Sequence, residues 1–356
     1  MNNRLGYLDS IRGLAALLVV VHHTFEVFLK YNEGAYPILS GFNSTVDLGR
    51  LGVIVFFITS GFVIPWSLKG ETPNALKNFA IKRFFRLYPA YWFSIIVATI
   101  IGLGVGVHVD SPQQVLVNFT MIHKFLGVES VIGAYWTLHL ELVFYIACAG
   151  LFYFGGLKNN KYLITLSVLL SLAAIVFASI RYYYHIKIPI IMPLGLSAMF
   201  YGAVLRNYLL EKQTELKIPL IILTIFYFAS LFVAQRMYYL DGWLSWYVTQ
   251  LSAFTVFYLL VTKIKLNNPF FIYLGKVSYS LYLLHAVVIG AVFHLFGDFA
   301  FTSLGFALVF LTVLIVSIIV AELSCRFVEK PGVTLARKFT AKYKKETITN
   351  RVSDGI

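Results

Sequence analysis

The chain has 356 residues, of which 59% are hydrophobic and only 13% charged, where ordinary soluble domains carry roughly 25% charge. Its 29 Lys and Arg outnumber 16 Asp and Glu, for a formal net charge of +13. This composition excludes a disordered chain and argues against a soluble globular enzyme. The basic residues sit between long apolar runs, so they report membrane topology rather than a nucleic-acid partner.

A helix needs about 20 mostly apolar residues to cross about 30 Å of hydrocarbon. In chain order the candidate spans are 8–29, 48–68, 87–107, 134–154, 162–181, 188–206, 216–235, 243–262, 273–296 and 301–325. An all-α integral membrane protein with about ten transmembrane helices is therefore expected. Residues 115–127 are apolar but short and carry His123 and Lys124, which suggests an interfacial or re-entrant piece. The first span is no signal peptide, because Asp9, Arg12, His22 and His23 interrupt it and no small-residue cleavage site follows. With the N-terminus in the cytoplasm, 22 of the 29 Lys and Arg fall on the inner side. Six fall outside and Arg12 lies within the first span, so both termini are expected to be cytoplasmic. The basic, polar tail 332–356 reads as a flexible or surface-lying end attracted to anionic lipid, following a transmembrane domain at 1–331. Cys148 and Cys325 have no metal-ligand spacing and read as small buried hydrophobes.

Charged groups inside a bilayer are costly and mark function by default. The spans carry few: Asp9, Arg12, His22, His23 and Glu26 in the first, His139 and Glu141 in the fourth, Lys276, His285 and His294 in the ninth, Glu322 in the tenth. At about 1.5 Å of rise per residue, His23 lies roughly 22 Å and His285 roughly 18 Å from the inner face, and Glu141 roughly 10 Å below the outer one. That arithmetic puts His23, Glu141 and His285 in one outer layer. Arg12, Arg83 and Arg86 lie near the inner face, and Arg83 and Arg86, at i and i+3, share a side. Adjacent His22 and His23 point about 100° apart, which argues against both facing one site. No metal is implied. A transporter or flippase of glycan precursors is the rival reading; it should show inverted repeats or paired broken helices, and the sequence shows neither.

The residues also spell a pattern. Leu8-Asp9-Ser10-Ile11-Arg12-Gly13 followed by His22-His23 resembles the opening motif of the acyltransferase-3 family of integral-membrane O-acyltransferases. Phe56-Phe57-Ile58-Thr59-Ser60-Gly61, Arg83-Phe84-Phe85-Arg86, Trp136-Thr137-Leu138-His139-Leu140-Glu141, Ser278-Tyr279 through His285, and Glu329-Lys330-Pro331 resemble its later motifs in order. The resemblance implies ten spans in a bacterial inner membrane, an acyl-CoA donor, usually acetyl-CoA, and a cell-surface or exported carbohydrate as acceptor. Some members append an extracytoplasmic hydrolase-like domain; this chain reads as a stand-alone transferase. By resemblance, His23 is the essential histidine, either the base for direct transfer or the carrier of an acyl-His intermediate, and Glu141 is its orienting or charge-stabilising partner or a residue that only holds helices together. Arg12, Arg83 and Arg86 would hold the CoA phosphates. Asp9 would fix Arg12 or cap a helix, and Ser60, Tyr279 and His285 would support the site. Gly52, Ser60 and Gly61 leave room for close helix approach or for a thin pantetheine arm.

Overall fold

The computed structural model describes residues 6–32, 36–186, 188–238 and 242–353. In chain order the helices are α1 (Gly6–Tyr31), α2 (Pro37–Thr45), α3 (Leu48–Val63), α4 (Asn74–Ile101), α5 (Pro112–Asn118), α6 (Trp136–Tyr153), α7 (Asn160–Tyr184), α8 (Ile191–Leu209), α9 (Lys217–Tyr238), α10 (Trp243–Leu259), α11 (Pro269–Phe296), α12 (Ser303–Ser324) and α13 (Lys330–Ser353). Among the described residues there is no strand, only a single backbone bridge between Val107 and Ile132. In lipid the backbone must satisfy its own polar groups, and helices do this within one segment.

Nine described helical segments are long and apolar enough to span a membrane. The remaining expected span, 188–206, is α8. Arg206 and Asn207 at its end lower its hydropathy, yet its body is enclosed, from Leu194 through Leu205, by neighbouring helices. A helix shielded from lipid by protein does not need a lipid-grade surface.

Small residues set the helix crossings. Gly13 on α1 meets the backbone of Phe271 and Gly275 on α11, and Gly275 meets the Asp9 carbonyl. Gly52 of α3 lies on the Ala15 carbonyl of α1, and Gly61 of α3 on the Met199 carbonyl of α8. A Cβ at any of these positions would overlap backbone. Helices in lipid associate through such close approach, because lipid is as apolar as Leu and offers no hydrophobic drive. Helix packing thus occupies Gly52 and Gly61, while Ser60, with Phe56, Phe57 and Thr59 of the same motif, lines a cavity wall. The contacts also fix direction: α1 and α11 run parallel, and α3 runs antiparallel to both.

Two interruptions aim side chains at the interior. Pro89 within α4 cannot donate to the Phe85 carbonyl, and Gly332 of α13 approaches that freed carbonyl. One turn of π-helix, Cys325–Glu329, joins α12 to α13 and shifts the register, so that Glu329 ends 1% exposed. Such turns recur at functional sites. The stretch read as a flexible tail is helical through Ser353; its first turns pack on α4 through buried Ala336 and the Phe85–Phe339 ring stack. Residues 354–356 lie outside the described set.

Candidate active site

Five helices, α1, α3, α6, α8 and α11, border two cavities in succession. The arginine cavity, about 130 Å3, lies toward the end where α1 begins; Arg12, Ser60, Arg83, Arg86, Glu141 and Tyr279 line it. The histidine cavity, about 1020 Å3, lies toward the other end and includes His22, His23, Glu26, Arg50, Trp246 and His285. Val53 and Tyr282 line both. The Tyr282 phenol is held across this boundary: it accepts from Thr137 Oγ1 and donates to the Ala134 carbonyl, each at 2.9 Å.

The arginines have different partners. Arg86 pairs with the buried carboxylate of Glu329, which also accepts from Ser280 Oγ at 3.1 Å. Arg83 instead binds two neutral hydroxyls, Ser67 Oγ at 2.8 Å and the Tyr145 phenol at 3.4 Å. Tyr145 passes the chain of bonds on by donating to Glu141. Arg12 lies within electrostatic range of Glu141, Asp9 and Glu329, and of Arg86. Three arginines therefore face three carboxylates. Asp9 is the fourth residue of α1 and not its cap, so it serves the helix dipole and Arg12. The Tyr279 phenol donates to the Leu87 carbonyl at 2.9 Å, with the Arg86 guanidinium 5.9 Å from its ring centre.

In the histidine cavity, the His23 and His285 rings stack with centroids 5.3 Å apart. His23 Nδ1 bonds Glu26 Oε2 at 2.8 Å. His285 Nδ1 bonds the Tyr282 carbonyl at 2.6 Å, which leaves Nε2 buried with no hydrogen-bond partner. His22 turns toward α3, where its Nε2 lies 3.3 Å from Asp47. Asp47 caps α3 through the Arg50 amide at 2.7 Å and pairs with the Arg50 side chain, whose guanidinium covers the Trp246 ring at 3.3 Å.

Two expectations are corrected. Glu141 does not stand beside His23; it lies in the arginine cavity. The cause is the segment between α4 and α6, which dips into the bundle and brings Gly104 onto Gly290. As a result α6 begins level with Tyr282 and not at the outer surface. Glu141 lies one turn below Thr137, roughly 6 Å deeper. The carboxylate beside His23 is Glu26, at i+3 on the same helix. Second, His22 and His23 diverge as expected, toward Asp47 and His285, yet the cavity is wide enough for both to border it. His139 points away from either cavity, against His123 with ring centres 4.5 Å apart. His123, in the loop, is held down to about 4 by burial, with His139 and Lys124 adding to it. Glu322 lies apart, 3.8 Å from Lys330. Both cysteines are buried and free.

Sequence reasoning assigned no role to Glu26, Glu329, Tyr145 or Tyr282. Glu26 had a signal, its i+3 spacing from His23. Glu329 and Tyr282 sat inside motifs already noted, and Tyr145 follows one turn after Glu141. Ligand atoms of His22, His23 and Glu26 lie within 4.8 Å of one another, a grouping with metal-ligating capacity, although each already has a protein partner.

Two polar cavities thus lie back to back inside apolar helices, one lined by arginines and the other by histidines. Comparison with known proteins gives the family. The profile described as an acyltransferase domain, type 3, matches residues 5–322, and the chain belongs to the acyltransferase-3 family. It is 26% identical over 197 residues to the peptidoglycan O-acetyltransferase OatA of Listeria monocytogenes, covering 49% of this chain and 29% of that one. It is 25% identical over 152 residues to the acyltransferase MdmB of Streptomyces mycarofaciens, covering 40% and 38%. The ORF330 protein of Acidianus two-tailed virus, named for an acetyltransferase, is 23% identical over 292 residues, covering 79% and 82%. The chain thus spans well under half the length of the first two relatives. No solved structure matches it.

Proposed function

We propose that this chain is a membrane O-acyltransferase that moves an acyl group, expected to be acetyl, from acyl-CoA to a carbohydrate hydroxyl. The observation that carries this reading is the pair of cavities meeting at Val53 and Tyr282, with arginines on one side and His23 on the other. The arginine cavity is too small for a nucleotide, since ligand pockets for drug-sized molecules run to roughly 300–1,000 Å3. A thin pantetheine arm suits it. The histidine cavity has room for a sugar, with Trp136, Trp246 and Tyr31 among its walls.

With Nδ1–H donating to Glu26, His23 keeps its lone pair on Nε2. There it takes the proton of the acceptor hydroxyl as the oxygen attacks the thioester carbonyl. The C–S bond then breaks and the sulfur leaves as a thiol, taking that proton back from His23. Glu26 holds the ring and favours its charged form, as the acid of a catalytic triad does. The stacked His285 keeps the ring in place. The basic end of the bundle faces the cytoplasm in this reading, by the positive-inside rule, and the membrane is the inner membrane of a bacterium. The relatives named for peptidoglycan O-acetylation and for acetyl transfer support an acetyl donor and a glycan acceptor.

Membranes bearing the full-length protein should release free thiol from acetyl-CoA, faster when an acceptor glycan is added. A transporter or flippase of glycan precursors would release none above empty membranes, and that result would remove the transferase reading.

A further inference from the structure

A third cavity, about 570 Å3, opens at the same end of the bundle as the arginine cavity, and Trp66, Lys69, Phe152, Lys158, Arg206 and Glu211 are among its walls. The two are neighbours along the chain and through a hydrogen bond. Ile64 lines the arginine cavity and the adjoining Pro65 lines the third. Ser67, between Trp66 and Leu68 of the third cavity's wall, accepts from Arg83 of the arginine cavity. We propose that this third cavity binds the phosphorylated adenosine end of the acyl-CoA donor. The inference rests on the proposed function and deepens it.

Charge is the first argument. In the arginine cavity, Arg12, Arg83 and Arg86 are matched by Asp9, Glu141 and Glu329. Among the described residues lining the third cavity, Lys69, Lys158 and Arg206 stand against one carboxylate, Glu211, with Arg83 at the junction. The cationic excess needed for several phosphates therefore lies outside the arginine cavity. Arg206 is well placed for this. Its Nη1 donates to the Phe62 carbonyl at 2.9 Å, while its Nε is buried with no hydrogen-bond partner and Glu211 is 3.9 Å away. Its guanidinium also lies 4.5 Å from the Trp66 ring centre. An indole and a guanidinium together form a platform on which an aromatic base stacks.

Length is the second. Along α3 and its cap, Ile64, next to Pro65 of the third cavity, and Val53 at the histidine cavity are eleven residues apart, roughly 16 Å of helix. The pantetheine arm has about twelve bonds between phosphate oxygen and sulfur, equal to about four extended residues or ~14 Å. A donor with its adenosine in the third cavity thus brings its sulfur close to Val53 and Tyr282, where His23 begins. Phosphates held by Arg12 and Arg86, deeper inside, would push the thioester past that point.

The test uses labelled adenosine 3′,5′-bisphosphate on the purified full-length chain in detergent, and on the double variant Lys69→Ala/Lys158→Ala. The wild type should bind it saturably, and the variant at least roughly tenfold more weakly, the loss of at least one charge-assisted bond. In parallel, the ratio of kcat/KM for acetyl-CoA to that for acetyl-pantetheine should fall at least tenfold in the variant. No saturable binding, equal binding by both proteins, or displacement by phosphatidylglycerol micelles but not by acetyl-CoA would overturn the assignment. Saturable binding that the variant weakens, without thiol release from acetyl-CoA, would leave the nucleotide cavity standing and remove the transferase reading instead.

Discussion

His23→Ala is expected to stop acyl transfer in a chain that still folds. Positioned general-base catalysis contributes about 10²–10⁴ in rate, and His23 is the histidine of the cavity with its Nδ1 bound to a carboxylate and its ring stacked on a second imidazole. The substitution leaves the small-residue crossings of α1 untouched, since those lie at Gly13 and Ala15. His23 is also about a third exposed to the cavity, so its loss opens little packing. The measurement is the rate of acetyl transfer to glycan at equal membrane abundance. Glu26→Gln should lie between the two: the amide still accepts from Nδ1 but no longer stabilises the imidazolium. Transfer at wild-type rate in His23→Ala would dismiss the base assignment.

The second large effect is on stability. Glu329→Ala removes the carboxylate that accepts from Ser280 and pairs with Arg86, and leaves the Arg86 guanidinium in a confined cavity without its directly bonded carboxylate. Breaking a buried pair from one side costs about 3–5 kcal/mol. The lower end applies, because the Arg86 side chain is 27% exposed to the cavity. Thermal unfolding of the purified protein in detergent should show a clearly lowered midpoint. The double change Arg86→Met/Glu329→Met should regain much of the loss, because it removes both charges and refills the space. An unchanged midpoint in Glu329→Ala, or a double variant no better than the single one, would contradict this account of how the π-turn is held.

Where the sequence spoke through membrane thickness, it was read well. The second span was expected at 48–68 and runs Leu48–Ser67; the eighth at 243–262 runs Trp243–Ile264. Length and apolarity are set by the hydrocarbon, so the pattern is stated in the chain itself. The same arithmetic put His23 and His285 at one depth, and their rings stack. It failed for Glu141 because depth was counted from an outer surface that α6 does not reach; the start of that helix is set by a loop dipping onto Gly290. It also could not show that Glu329 turns inward. That direction comes from one π-turn, and no periodicity in the sequence announces it. Charge balance around the arginine cavity was illegible because Asp9, Glu141 and Glu329 come from three separate elements, and only the fold brings them together.

The central claim is that an acyl group passes between the two cavities at Val53 and Tyr282, from a donor on one side of the membrane to an acceptor on the other. Purified protein in liposomes tests this directly, with labelled acetyl-CoA outside and an acceptor oligosaccharide sealed inside. The account predicts labelled O-acetyl ester on the enclosed oligosaccharide, in proportion to the protein molecules whose basic end faces outward. Ester formed only when donor and acceptor share one compartment would contradict it.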